Sequence, residues 1–296
     1  MSVRALALLP VLVFCAPDAH ACAVCATADP TLTVAGEEQP FRGRLRLDAD
    51  VRQGGVSAGD VGLDDRRVEV AVLWAPIRQL EVEFAAPYLF RHVVDEQTAS
   101  TLERDSDEAT IGDVELRAQY LAYEARGGFG RRRFGLIGGL KLPTAPLGYD
   151  PRGALLASTL QPGCGSIAPS LGAYYATSRG PWSTYASGSL FLPFSIRDGP
   201  HSSDSARFVA HVQFQPHPRV AGRIGTFVRI DASGQLAPGV DDTNSGGLIG
   251  YLTSAIVVSP ISDLVVTAGV FLPVIEAFRG THHESAIVAL TLAHDF

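Results

Sequence analysis

From about residue 41 onward this chain places apolar and polar residues on alternating positions, a period of two that belongs to strands whose two faces meet different surroundings. Leu45, Leu47, Ala49 and Val51 alternate with Arg44, Arg46, Asp48, Asp50 and Arg52. Val114, Leu116, Ala118 and Tyr120 alternate with Asp113, Glu115, Arg117 and Gln119, and Phe208, Ala210, Val212 and Phe214 with Arg207, His211, Gln213 and Gln215. The chain ends the same way, with Ala286, Val288, Leu290, Leu292, His294 and Phe296 set against Ile287, Ala289, Thr291, Ala293 and Asp295.

About twelve such segments are predicted, near 41–52, 66–75, 80–91, 110–123, 132–142, 165–176, 182–194, 205–215, 220–231, 247–258, 264–274 and 285–296. The connections at 76–79, 124–131, 177–181, 216–219 and 259–263 are short. Those near 53–65, 92–109, 143–164, 195–204, 232–246 and 275–284 are longer and more polar. Short and long connections therefore take turns, as in a transmembrane antiparallel up-and-down β-barrel with tight turns at one mouth and loops at the other. An even strand number returns both termini to the same side. A soluble all-β protein with one wet face accounts for the alternation, but not for the alternating loop lengths or for a last strand that ends in Phe296.

The charged residues decide which face would be which. Hydrocarbon gives no partners to backbone groups, so strands span it only as a closed barrel. Arginine at the midplane costs roughly 2–4 kcal/mol, which sends the apolar set toward lipid and the charged set inward. The interior candidates are Arg42, Arg44, Arg46, Glu83, Asp113, Glu115, Arg117, Lys141, Arg207, His211, Arg223 and Arg229. Antiparallel pairing about a turn centred near Gly128 places Glu115 opposite Lys141, the only lysine, and predicts an ion pair across the wall. Twelve strands fall between the eight whose side chains fill the interior and the sixteen that leave an open channel. Inward small residues (Gly139, Ser170, Gly172, Gly225, Ala289) are expected to leave some open space.

Residues 1–21 read as a secretory signal: Arg4, an apolar run from Ala5 to Phe14, and an Ala19-His20-Ala21 cleavage site. Residues 22–40 then form an N-terminal periplasmic segment, and 41–296 a single barrel domain. Of the three cysteines left after cleavage, Cys22 and Cys25 are spaced for a disulfide or for a soft-metal site, and Cys164 is left over. Ala26 stands where haem attachment needs histidine, and no cofactor is expected. A formal charge of −7 and the lack of a basic run beyond Arg131-Arg132-Arg133 argue against nucleic acid.

Several stretches resemble the outer-membrane transporter-like family named for the MetA pathway of phenol degradation. They are Val82-Glu83-Phe84 through Pro87-Tyr88, Gly112-Asp113-Val114-Glu115-Leu116-Arg117, Gly139-Leu140-Lys141-Leu142-Pro143-Thr144 and Gln161-Pro162-Gly163-Cys164-Gly165-Ser166. Ala145 departs from the pattern where a glycine is more usual, and Cys164 where a threonine is expected. The resemblance implies a bacterial outer-membrane barrel that passes small molecules, aromatic or hydrophobic ones among them. It supplies no catalytic residue. The expected partners are outer-membrane lipid, lipopolysaccharide, the solute itself, and the barrel-assembly machinery, which would read Phe296 as an insertion signal.

Two other functions fit parts of the sequence. A periplasm-coupled protein would use Cys22 and Cys25 for metal or redox work. A lipid-acting barrel enzyme would need a serine activated by a base, and no such arrangement stands out. His282-His283-Glu284 reads as a solvated loop, because adjacent histidines point apart. The acidic stretch from Asp95-Glu96 through Glu103-Arg104-Asp105-Ser106-Asp107-Glu108 could gather cations at the outer mouth, but reads more simply as a solvated outer loop, and Arg126-Gly127-Gly128-Phe129-Gly130 reads as a turn.

Overall fold

A computed structural model describes residues 42–58, 61–95, 104–128, 130–151, 153, 155–156, 160–195, 204–237, 240–242 and 245–296. The cleavage site, Cys22 and Cys25 lie outside the described residues. In chain order the strands are β1 (Leu45–Ala58), β2 (Val61–Ile77), β3 (Leu80–Asp95), β4 (Arg104–Ile111), β5 (Val114–Gly127), β6 (Gly130–Leu142), β7 (Ser166–Arg179), β8 (Trp182–Phe191), β9 (Phe194–Ser195), β10 (Ser205–His217), β11 (Val220–Asp231), β12 (Gln235–Ala237), β13 (Val240–Asp241), β14 (Gly247–Ile261), β15 (Leu264–Phe278), β16 (His283–Glu284) and β17 (Ile287–Asp295). Counting β4 with β5 as one wall strand and β16 with β17 as another, twelve wall strands pair antiparallel with their neighbours. The last pairs with the first through Leu47–His294 to Gln53–Val288, so the sheet closes on itself. Closure leaves no edge at the level of that seam, which is what a chain crossing hydrocarbon needs.

The strands lean strongly. A line carried across the ladder from Arg46 passes Leu73, Glu83, Arg117, Gly139, Ser170, Phe191, Ser205 and Asp231, and reaches Gly247 and Phe278. It starts at one mouth, in the first turn of β1, and finishes at the other, at the end of β15. Such stagger accompanies barrel closure.

Five tight connections lie at one mouth, joining β2 to β3, β5 to β6, β7 to β8, β10 to β11 and β14 to β15. The other mouth carries the longer connections, but two of the expected loops are mostly strand. β1 and β2 run on to residues 58 and 61, and β3 and β4 to 95 and 104, so the acidic stretch is largely the strand β4. The alternation was read as ending early because these extensions carry polar residues on both faces (Gln53, Asp64, Asp65, Arg66) and lose the contrast that marks a strand.

The two faces sort as the charges require. Leu45, Leu47, Val72, Leu116, Leu140, Leu252, Leu290 and Leu292 are exposed on the outside, while Arg44, Arg46, Arg67, Glu69, Glu115 and Arg117 are buried inside. Outward aromatic residues collect near the tight turns: Trp74, Tyr123, Tyr175, Trp182 and Phe214, with the Trp182 and Phe214 rings 4.5 Å apart. This is the aromatic girdle of a membrane barrel. Single-residue alternation does not reveal it; it appears only when the turns are brought to one level.

One wall strand is interrupted. Between the pairs Tyr88–Ile111 and Ala85–Glu115, β3 uses residues 86 and 87 while its partner uses 112, 113 and 114. The extra residue is a β-bulge, and it reverses which parity faces inward, from Thr110 on β4 to Glu115 on β5. Pro87, which has no N–H to give the ladder, sits at the break and accepts from the Gly112 N–H at 3.0 Å. A side chain at Gly112 would meet the Pro87 ring, with Cγ at 2.9 Å.

Candidate functional site: the barrel interior

The arc of wall from β1 to β6 carries an ionic lattice. Arg117 is its centre, donating to Glu69 at 3.1 Å, Glu83 at 2.9 Å and Glu115 at 3.2 Å. Glu69 also accepts from Arg67. Toward the turn mouth, Arg44 and Arg46 both bind the Asp295 carboxylate of the last strand, with shortest distances of 2.7 Å. Asp50 takes Arg52 at 2.5 Å and accepts from the Thr291 hydroxyl at 2.7 Å. Lys141 stands opposite Glu115 in the register anticipated for it.

A second lattice lies near the loop mouth on the far wall. Arg229, fully buried, is held by Asp231 and Glu284. Tyr251 donates its hydroxyl to Glu284 at 2.5 Å, Ser205 donates to Asp231 at 2.6 Å, and the His282 ring lies 3.1 Å from Glu284. His282 was expected in a solvated loop, but it is only 7% exposed. The adjacent histidines do point apart: His283 is outside, 2.5 Å from Glu276. The step of one position turns one ring into the barrel and the other away from it.

The far wall is also aromatic, which charge alternation alone does not predict. Tyr174, Tyr185 and His211 stack in sequence across β7, β8 and β10, with centroid separations of 5.9 and 5.2 Å. Phe227 and Tyr251 stack at 5.9 Å, and Phe271 meets Tyr251 edge-on at 6.4 Å. Arg207 lies 3.8 Å above the Phe191 ring, a cation–π contact. Strands β8 and β14 had no clear facing in the sequence because their aromatic and small residues fall on both parities.

Several glycines expected to open space do not. A Cβ at Gly139 would stand 2.6 Å from the Ser170 hydroxyl, one at Gly172 would stand 2.4 Å from a backbone oxygen, and one at Gly225 would stand 2.6 Å from His211 Cβ. Neighbouring groups already cover them. Open volume lies instead where small side chains from β14, β15 and β17 (Thr253, Ala255, Thr267, Gly269, Ala289, Thr291) face Arg52, His211 and Arg223. This cavity is about 50 Å³, with Phe271 in its lining. A smaller one, about 20 Å³, lies beside Glu83 and Arg117.

Of the sequence candidates, Arg44, Arg46, Glu83, Glu115, Arg117, Lys141, Arg207, His211, Arg223 and Arg229 are interior. Arg42 is not: it lies exposed in the turn before β1, three residues before that strand begins at Leu45. Asp113 is buried, but it serves the β6–β7 loop through two backbone N–H groups. Cys164 is not left over. It is buried and disulfide-bonded, with its partner outside the described residues. Asp65, Arg67, Glu69, Arg91, Asp231 and Glu284 join the interior unannounced, although Asp65, Arg67 and Glu69 continue a period-two run.

The fold is similar to that of a solved structure, the COG4313 outer membrane channel from Pseudomonas putida F1. The TM-score is 0.67 at 15% identity, over 89% of this chain and 100% of that one. The chain has the fold of an outer-membrane channel. Looser likenesses are the P. putida toluene transporter TodX (TM-score 0.41, 10% identity, 87% of this chain and 91% of that one) and the Ralstonia pickettii toluene transporter TbuX (0.41, 8%, 87% and 90%). Overlaps that loose carry no argument about this barrel. No family model and no curated protein sequence matches the chain.

Proposed function

We propose that this protein is a passive channel of the bacterial outer membrane for small solutes. The observation that carries the reading is the sorting of faces around a closed wall: Leu116 is 46% exposed outside while its neighbours Glu115 and Arg117, at 2% and 3%, are inside. Lipid is the surrounding that makes such a surface stable. On this reading the tight turns and both ends of the barrel domain face the periplasm. Outward polar residues at the loop mouth (Gln53, Asp64, Arg66, His92, Asp107) border a cavity of about 410 Å³ level with lipopolysaccharide head groups. Phe296, 68% exposed beside His294, is the residue we assign to recognition by the barrel-assembly machinery.

The interior favours slow, selective passage. A cavity of about 150 Å³ holds benzene, and the cavity that Phe271 lines is a third of that, so a ring would pass only as Phe271 and its neighbours swing aside. The stacked Tyr174–Tyr185–His211 and Phe227–Tyr251 faces give aromatic solutes something to slide along, and the opposite ionic arc holds water. Ser205 is engaged with Asp231, His92 with Asp107 and His283 with Glu276, so none of these three forms a serine–histidine pair.

The test is purification from outer membranes, heat-modifiable migration on gels, single-channel recording and liposome swelling with graded solutes. Small discrete conductance steps are expected, with swelling for the smallest solutes. A protein that stays soluble without detergent, or a folded barrel that passes no solute, would end this reading.

A further inference from the structure

In the connection from β6 to β7, the described residues Leu156 and Leu160 turn into the barrel instead of standing above it. They pack against inward Ala58, Leu63 and Val93, forming an apolar cluster inside the loop mouth. Arg91 on β3 donates to the Leu160 carbonyl. Gln161 ties the segment to itself, accepting from Gly148 N–H at 2.8 Å and donating to the Leu156 carbonyl at 2.6 Å.

Both feet of this connection meet at the β4–β5 bulge. The Asp113 carboxylate accepts from Ala145 N–H at 3.1 Å and from Cys164 N–H at 2.5 Å. Thr144 Oγ1 accepts from Val114 N–H and donates to the Gly112 carbonyl, both at 2.9 Å. Gly163 is required there, because a Cβ would come within 2.4 Å of Asp113 Oδ1 and 2.5 Å of Ala145 Cβ. A bulge is the device that aims one side chain out of register, and here that side chain is the anchor.

We infer that Asp113 is a positioning residue that pins the β6–β7 connection across the lumen, so that this strap sets the largest solute admitted. The inference rests on the channel reading. An ionised carboxylate accepting two backbone N–H groups in a buried place makes a strong, directional clamp. Removing its charge leaves two buried donors without a good acceptor.

The test uses the full-length protein with Asp113→Asn, Asp113→Glu, and a variant whose residues 147–160 are replaced by a short Gly-Ser link. Each is measured with and without reductant, since the Cys164 disulfide also restrains the strap. Amide exchange read by mass spectrometry should rise at least tenfold at Ala145 and Cys164 in Asp113→Asn, and less in Asp113→Glu. Liposome swelling should admit larger solutes in Asp113→Asn and in the shortened variant. Exchange at the wild-type rate in Asp113→Asn would overturn the clamp. A shortened barrel that inserts normally and keeps the wild-type size limit would overturn the strap. If no form of the barrel passes any solute, the channel reading fails and the size limit with it. The exchange rates would still decide the anchor, because they need no conductance.

Discussion

Glu115 on β5 and Lys141 on β6 stand directly opposite one another across the wall, both buried and both facing inward. Glu115 is shared with Arg117 at 3.2 Å, and Asp113 and Glu115 supply the opposing charge at Lys141. Taking one member from such a group leaves an uncompensated charge where water is scarce. Lys141→Met should therefore lower stability by about 3 kcal/mol, read as a lower temperature of heat modification on gels. Glu115→Gln added to Lys141→Met should recover part of the loss. Unchanged conductance in Lys141→Met would remove this lysine from permeation.

The sorting of faces predicts opposite outcomes for adjacent positions. Leu116→Arg places a charge toward hydrocarbon and should cost roughly 2–4 kcal/mol if it lies near the midplane. The measurement is urea-dependent refolding into lipid vesicles. A Leu116→Arg barrel as stable as the parent would mean that this face does not touch lipid.

Arg229 tests the lattice of the far wall. With Asp231 and Glu284 both leaning on it, Arg229→Met should destabilise by about 3–5 kcal/mol. The triple change Arg229→Met, Asp231→Asn, Glu284→Gln should be closer to wild type than the single one. If the triple variant is the less stable of the two, the lattice is not what holds Arg229 in place.

Gly225 stands directly opposite His211 on β10. Gly225→Ala must displace His211, whose Cβ stands 2.6 Å from the added carbon, and the Ala210 carbonyl, which stands 2.4 Å from it. The expected cost is about 1–3 kcal/mol of overpacking, with a changed His211 ring resonance in the folded barrel. An unshifted resonance would place the ring elsewhere.

The parity of the wall was legible because each membrane-depth strand meets two unlike surroundings, and this also fixed the Glu115–Lys141 register from the turn near Gly128. The strand extensions at the loop mouth were not legible, since Asp64, Asp65, Arg66 and Asp107 put polar atoms on both faces. Nor were the inward Phe227, Tyr251 and Phe271, because aromatic residues suit lipid and a dry interior equally well. The role of Asp113 was hidden for a different reason. A bulge shifts parity by one residue, and only the pairing on β3 shows where.

The seam between β17 and β1 joins the last strand of the barrel to the first. Phe296 N–H reaches the Leu45 carbonyl at 2.8 Å, and the Asp295 carboxylate binds both Arg44 and Arg46 there. Without that carboxylate Arg44 would keep Glu81 at 3.5 Å, but the ion pairing from the last strand to the first would be lost. Charge at this seam therefore makes the zipping of the wall an electrostatic step as well as a backbone one.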